Sequence, residues 1–501
     1  MESTPAELRW SGKGDERNVP TVSPRRVTGR HRRRVVQRRA VFAVFGLGAA
    51  LVAAAVVTTT FADRSSPIRP RTQRPIPHPT TSTTSTTSTT VAPPSPVWRV
   101  AWGTAMAWGY GTARDVTVRD LATIGGGGDA VRVRISNVFG NEPMVIGAAT
   151  VGLDAGGAAI VPGTLHTLTF AGKSGASIPA GQYIYTDPTS MGVSNMQTLA
   201  ISIFVSDTEL GSVHPCCTKI ASYFTPNGGG DLTGSLTGVG LSVASPWARW
   251  VDAVDVLQTT GQGSIVVVGD SITEGFNSSL RWTDVLQQRI NMLPSSEQRA
   301  VVNEAITANA LTSVVHTDDE TGGGPSGLTR LARDALDQLG VAEVVVFLGT
   351  NDLWFGATAQ QLITGYEQTI AAVHQAGLPI VAVTLLPRAT DHTELWTPLD
   401  QAELEQVDTW IKTSGAFDGV LNLAPAVADV FNGACTPNVM FPPYDSGDHL
   451  HPNAAGQIAL ANAIDPSVLR LPALPQIPPA VKATPTPTCS AAAMAPTSFA
   501  P

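Results

Sequence analysis

Ser264-Ile265-Val266-Val267-Val268-Gly269-Asp270-Ser271-Ile272-Thr273-Glu274-Gly275 runs from a solid aliphatic block straight into a glycine, an acid and a serine. Branched apolar residues without polar alternation suit a strand buried on both faces, as in a parallel sheet covered by helices. A serine just past such a strand exposes its hydroxyl, and its own backbone N–H can face a developing oxyanion. A lone serine in that place is more often the N-cap of a helix. Its meaning depends on what accompanies it.

Working outward, similar short runs recur at Ala300–Val302, Glu343–Leu348, Leu378–Leu385 and Gly419–Leu423. Helical stretches separate them, among them Ala359–Gln375, Asp400–Thr413 and Asn453–Ile464. Strands alternating with amphipathic helices predict an α/β fold, a three-layer α/β/α domain over residues 259–466. In such sheets chemistry sits at the carboxyl ends of the strands.

Two further loops lie at those ends. After Glu343–Leu348 comes Gly349-Thr350-Asn351-Asp352, where the Asn351 amide could donate to an oxyanion, or simply make a turn. Near the end stands Asp448-His449-Leu450-His451-Pro452. A carboxylate three residues before a histidine can hold Nδ1–H and leave Nε2 to accept a serine proton. The three loops together point to Ser271 as nucleophile, His451 as base and Asp448 as its orienting acid. His449 invites a metal reading, but no other His, Cys or carboxylate cluster accompanies it, and neither metal nor cofactor is expected.

The domain resembles the SGNH/GDSL hydrolases through Gly269-Asp270-Ser271, Gly349-Thr350-Asn351-Asp352 and the pair Asp448 and His451. The body from about residue 98 onward also resembles actinobacterial-type GDSL acylhydrolases with an N-terminal β-domain. That wider likeness rests on Arg132-Val133-Arg134-Ile135-Ser136-Asn137-Val138-Phe139-Gly140 and on Tyr444–Pro452. The resemblance implies a flavodoxin-like parallel sheet, ester substrates, and an oxyanion hole formed by the N–H groups of Ser271 and residue 308 with the Asn351 side chain. One block departs from the family. Asn303-Glu304-Ala305-Ile306-Thr307-Ala308-Asn309 has alanine where the family loop has its second glycine. Ala305 and Ala308 change together, which reads as a loop accommodated to alanine, with φ at Ala308 negative and its N–H still aimed correctly.

Residues 98–258 read differently. Ala130–Ser136 alternates apolar residues with arginines, as on a half-buried strand, and Leu199–Val205 alternates with a less polar second face. Glycine-rich breaks at Gly125–Gly128 and Gly228–Gly230, without a long helical period, predict a β-sandwich. This part presents no nucleophile, base or metal set, so it is expected to act on substrate reach or on stability.

The termini and the charge set the surroundings. The formal charge is −8; residues 1–39 carry +7 and 40–97 carry +3, which leaves −18 for 98–501. So acidic a body disfavours nucleic acid as a partner. Ala40–Ala62 holds no charge and would span roughly 34 Å as a helix, enough to cross a bilayer. Arginines crowd the 25–39 segment of the basic tail (1–39), so the positive-inside rule places everything after Asp63 outside. A poor small-x-small site at Thr60-Phe61-Ala62 favours a retained anchor over a cleaved signal peptide. The Pro/Thr/Ser-rich stretch 63–97 and the Pro/Ala-rich tail 467–501 read as unstructured. Cys216, Cys217, Cys435 and Cys489 allow one or two disulfides, with the pairing open.

The expectation is therefore a membrane-tethered extracytoplasmic serine esterase acting on small-molecule or polysaccharide esters. An acyltransferase with the same residues and a non-catalytic glycan-binding protein are the alternatives. The residues leave the oligomeric state open.

Overall fold

The computed structural model describes residues 95–215, 221–241, 243–317, 322–388, 396–430 and 436–478. The expected anchor at 40–62, nearly all of the spacer and all four cysteines lie outside the described residues. Among the described residues no helix is long and apolar enough to cross a membrane.

The first half of the described chain is β-rich. Strands β1 (Val97–Gly103), β2 (Thr112–Thr123), β3 (Gly128–Asn137), β4 (Met144–Gly156), β5 (Thr189–Val193), β6 (Thr198–Glu209), β7 (Ser212–His214) and β8 (Val251–Gln258) carry most of it. One antiparallel sheet runs β1-β8-β3-β5, and a second places β6 between β2 and β4. Alternate residues explain the packing: Val131, Val133 and Ile135 from β3 share one core with Leu199, Ile201 and Ile203 from β6.

Arg134, between Val133 and Ile135, does not face solvent, contrary to the half-buried reading. Arg134 is 1% exposed, pairs with Asp252 at 2.7 Å and donates to the Arg333 carbonyl at 3.2 Å. Arg132 pairs with Asp255 at 2.9 Å. The cause is tertiary: the polar face of this sheet is covered by the second half of the chain, and a buried guanidinium persists only when paired.

Among the described residues, that second half holds five parallel strands: β9 (Ser264–Gly269), β10 (Val301–Ala305), β11 (Val341–Phe347), β12 (Ile380–Val383) and β13 (Gly419–Leu421). Their order is β10-β9-β11-β12-β13. Both faces of each central strand are apolar. Val266 and Val268 join Val344 and Val346 in one core, and Ile265 and Val267 join Val345 and Phe347 in the other. Helices α1 (Ser271–Glu274), α2 (Trp282–Ile290), α3 (Gly327–Leu331), α4 (Thr350–Trp354), α5 (Ala359–Gln375), α6 (Pro398–Thr413) and α7 (Ala454–Ala463) complete the layers. Helix α6 starts before Asp400 because Thr397 caps it, Pro398 fits its first turn, and Asp400 closes a capping box.

The start of the expected tail is ordered. Leu469, Leu471 and Leu474 insert into the core beside α2 and α7, and Arg289 Nε donates to the Pro475 carbonyl at 2.7 Å. The Pro/Ala average over 467–501 conceals these three leucines.

The strand order places the change of direction at β9. Gly269 pairs with Ala305 on one side and Phe347 on the other. The loops after β9, β10 and β11 therefore leave the sheet side by side, at the position where open α/β sheets bind ligands.

Candidate active site

The serine loop is built by two glycines and a cap. A Cβ on Gly269 would lie 2.6 Å from the Thr273 side chain, so only glycine lets the helix begin directly at the strand end. Asp270 caps α1, accepting from the Ile272 N–H at 3.0 Å. Burial pushes the Asp270 carboxyl up to about 7, against the pull of that N–H and of Arg388. Ser271 is the first helical residue, so no carbonyl of α1 is available to its N–H. Gly275 ends α1 at φ 81 and turns the chain towards Phe276 and Asn277.

The histidine loop meets this serine. His451 Nε2 lies 2.7 Å from Ser271 Oγ, and His451 Nδ1 lies 2.7 Å from Asp448 Oδ2. Both groups at the contact are covered, Ser271 being 4% and His451 8% exposed. The other Asp448 oxygen accepts the backbone N–H groups of His451 at 2.8 Å and Leu450 at 3.1 Å. Burial opposes the Asp448 charge, but the hydrogen bond and charge of His451 and the two N–H groups outweigh it and hold the carboxyl well below the usual range. The Phe276 ring packs on the imidazole with centroids 4.8 Å apart. His449, the candidate for a metal reading, instead places Nδ1 2.7 Å from Asp445 Oδ2. Among the described residues no cluster of three His, Cys or acidic side chains is placed to hold a metal.

The third loop supplies donors and their supports. Gly349 has φ 134, and a Cβ there would lie 2.7 Å from the Tyr366 hydroxyl. Asn351 is 7% exposed and gives one amide hydrogen to the Asn309 carbonyl at 2.9 Å, leaving its second for a ligand. Asp352 has a structural part: it accepts from the N–H groups of Leu311 at 2.7 Å and Thr312 at 2.8 Å. It thereby ties this loop to the one after β10.

Ala308 departs from the sequence-based expectation. Its φ is 60, in the left-handed region that favours glycine. The turn is retained because its neighbours are fixed. Ile306 N–H donates to the Gly269 carbonyl at 3.1 Å, and the Asn309 side-chain oxygen accepts from Arg330 Nε at 3.0 Å. Arg330 is fully buried and also donates to the Gly269 carbonyl at 3.0 Å.

Several residues of the site carried no motif. Asn277 Nδ2 donates to Asp448 Oδ2 at 2.9 Å, and Gln457 from α7 donates to the Ile272 carbonyl at 3.1 Å. Arg388 lies over the rings of Trp354 and Trp396 at 4.5 and 4.8 Å and donates to Thr350 Oγ1 at 2.8 Å. Each is a single residue whose hydrogen-bond partner is remote in sequence.

Residues 267–459 match the family model of the GDSL-like Lipase/Acylhydrolase family. This segment is a GDSL-like lipase/acylhydrolase domain. The GDSL domain also has solved structural neighbours of low identity. A lipase/acylhydrolase from Enterococcus faecalis is 20% identical with TM-score 0.31, covering 43% of this chain and 99% of its own. A variant of an acetyl-xylooligosaccharide esterase from Geobacillus is 16% identical with TM-score 0.31, covering 41% and 93%. A GDSL-like lipase from Bacteroides thetaiotaomicron is 16% identical with TM-score 0.30, covering 41% and 88%. None of the curated proteins compared with the chain matches it. The GDSL domain contains Ser271, Ala308, Asn351, Asp448 and His451 within the matched span.

Proposed function

We infer that the chain is a serine esterase that works through an acyl-enzyme. The observation that carries this is the unbroken line from Ser271 Oγ through His451 to Asp448, with both links at 2.7 Å. His451 Nε2 takes the hydroxyl proton as Oγ bonds to the ester carbonyl carbon. The charge that develops on the carbonyl oxygen is met by the N–H groups of Ser271 and Ala308 and by the free amide hydrogen of Asn351. The imidazolium returns its proton to the departing alkoxide as the C–O bond breaks. Water then attacks the acyl-enzyme with His451 again as base, the bond from the acyl carbon to Oγ breaks, and His451 returns the proton to Ser271 Oγ. Asp448 keeps Nδ1 protonated and stabilises the imidazolium.

The substrates proposed are carbohydrate O-acyl esters or small lipid esters. The place of action proposed is outside the membrane, with residues 40–62 as a retained anchor. The charge-free length of that segment and the arginines before it support this. The test is turnover by purified protein on p-nitrophenyl esters of increasing acyl length, followed by acetylated polysaccharides. Hydrolysis of short aryl esters with loss in Ser271→Ala is the expected result; no turnover on any ester overturns the reading.

A further inference from the structure

The loop that carries Ala308 does not rest on the GDSL domain alone. Ile306 packs with Ala105 and Ala107 of the β-rich region in a separate apolar cluster. A Cβ on Gly324, across the loop, would come within 3.3 Å of the Ala107 side chain, so the fit there is close. Thr307, directly before Ala308, donates from Oγ1 to Glu274 Oε2 at 2.6 Å. The other oxygen of that carboxyl group, Oε1, faces Nε2 of His214 at 3.1 Å. His214 ends β7 in the β-rich region, and its Nδ1 lies 2.6 Å from the Ala105 carbonyl oxygen.

Burial makes these bonds decisive. His214 is 1% and Glu274 2% exposed, so solvent does not substitute for a lost partner. A carbonyl oxygen only accepts, so Nδ1 carries a hydrogen. Nε2 then faces Oε1 at hydrogen-bond distance, and the ring and the carboxyl group are held against each other. Glu274 closes the short helix that Ser271 opens, and Thr307 adjoins the left-handed Ala308. One carboxyl group thus fixes the nucleophile helix against the oxyanion loop. A histidine from outside the GDSL domain fixes that carboxyl group.

We propose that His214 is a positioning residue for ester hydrolysis: through Glu274 and Thr307 it holds the Ala308 N–H on the oxyanion formed at Ser271, so the β-rich region completes the oxyanion hole. The inference rests on the esterase reading above. An oxyanion contact tightens only in the transition state, so its loss lowers kcat and leaves KM nearly unchanged. A contact that only joins two parts of the chain would lower the thermal midpoint without that split.

The experiment uses the full chain and p-nitrophenyl acetate, with turnover counted per serine titrated by a fluorophosphonate. His214→Ala and Thr307→Val are each expected to lower kcat by roughly tenfold or more, with KM within about twofold. The double variant is expected to lose little beyond either single change, because both break the same chain of contacts. Thr307→Ser keeps the hydroxyl and is expected to stay within about threefold of wild type. If His214→Ala does not fold, the Thr307→Val and Thr307→Ser pair decides alone. Folded variants lacking the imidazole or the hydroxyl that turn over at the wild-type kcat overturn the proposal. A wild-type chain inert towards the ester, or one as active without Ser271, overturns the esterase reading and this inference with it.

Discussion

Asn277 Nδ2 donates at 2.9 Å to Oδ2 of Asp448, the same oxygen that faces His451 Nδ1. The loop that follows the nucleophile therefore steadies the acid that orients the base. Such a bond is worth about 1 kcal/mol net, or roughly fivefold in rate. Asn277→Ala should lower kcat by about that factor. Asn277→Asp, which sets a second carboxylate against Asp448, should cost more. Steady-state kinetics on one aryl ester compares the two; equal activity in all three proteins would remove Asn277 from the site.

Ala308→Gly tests the left-handed turn. An L-residue at φ 60 costs on the order of 1 kcal/mol that glycine avoids, partly offset by the greater freedom of glycine in the unfolded chain. The variant should melt slightly higher and keep kcat within about twofold, because the N–H already occupies the glycine conformation. A lower midpoint, or a several-fold change in kcat, would show that the turn is held otherwise.

Asp408 offers a pH test away from the site. It is buried, its Oδ1 accepts the Leu385 N–H at 2.8 Å, and burial pushes its carboxyl up to about 7. Its folded pKa thus exceeds the unfolded one, so the native state holds the proton more tightly. Stability is then greatest below the unfolded carboxylate pKa of about 4 and is lost as pH rises towards 7. Asp408→Asn should gain on wild type in thermal midpoint across that window, level off above it, and leave ester turnover unchanged. A midpoint difference independent of pH would contradict the assignment.

Fractionation of cells making the full chain addresses the tether. A retained anchor predicts the protein in the membrane fraction with residues 1–39 intact. A mature protein wholly in the medium, beginning near Asp63, would mean that the segment is cleaved.

The parallel sheet and the serine, asparagine and histidine loops were legible because each rests on local pattern. Aliphatic runs mark β9 and β11, and the residues after them form short contiguous motifs. What was not legible is tertiary. Arg134 reads as a solvent-facing residue of an amphipathic strand, and only the second half of the chain above it makes it a buried ion pair. His214 sits in a segment without any motif, and its partner Glu274 is distant in sequence. The positive φ at Ala308 is not legible either, because the bonds at Ile306, Asn309 and Thr307 that hold it join separate loops.

Hydrolysis by this route passes the acyl group through Ser271. Rapid quenching of the full chain with a slowly deacylating p-nitrophenyl ester, then mass spectrometry of the peptide spanning Ser271, measures this directly. One acyl group is expected on Ser271 within the first turnover, and none in Ser271→Ala, whose turnover falls by about 10⁴ or more. Hydrolysis without acylation of Ser271, or a Ser271→Ala variant retaining more than about a tenth of wild-type turnover, would contradict it.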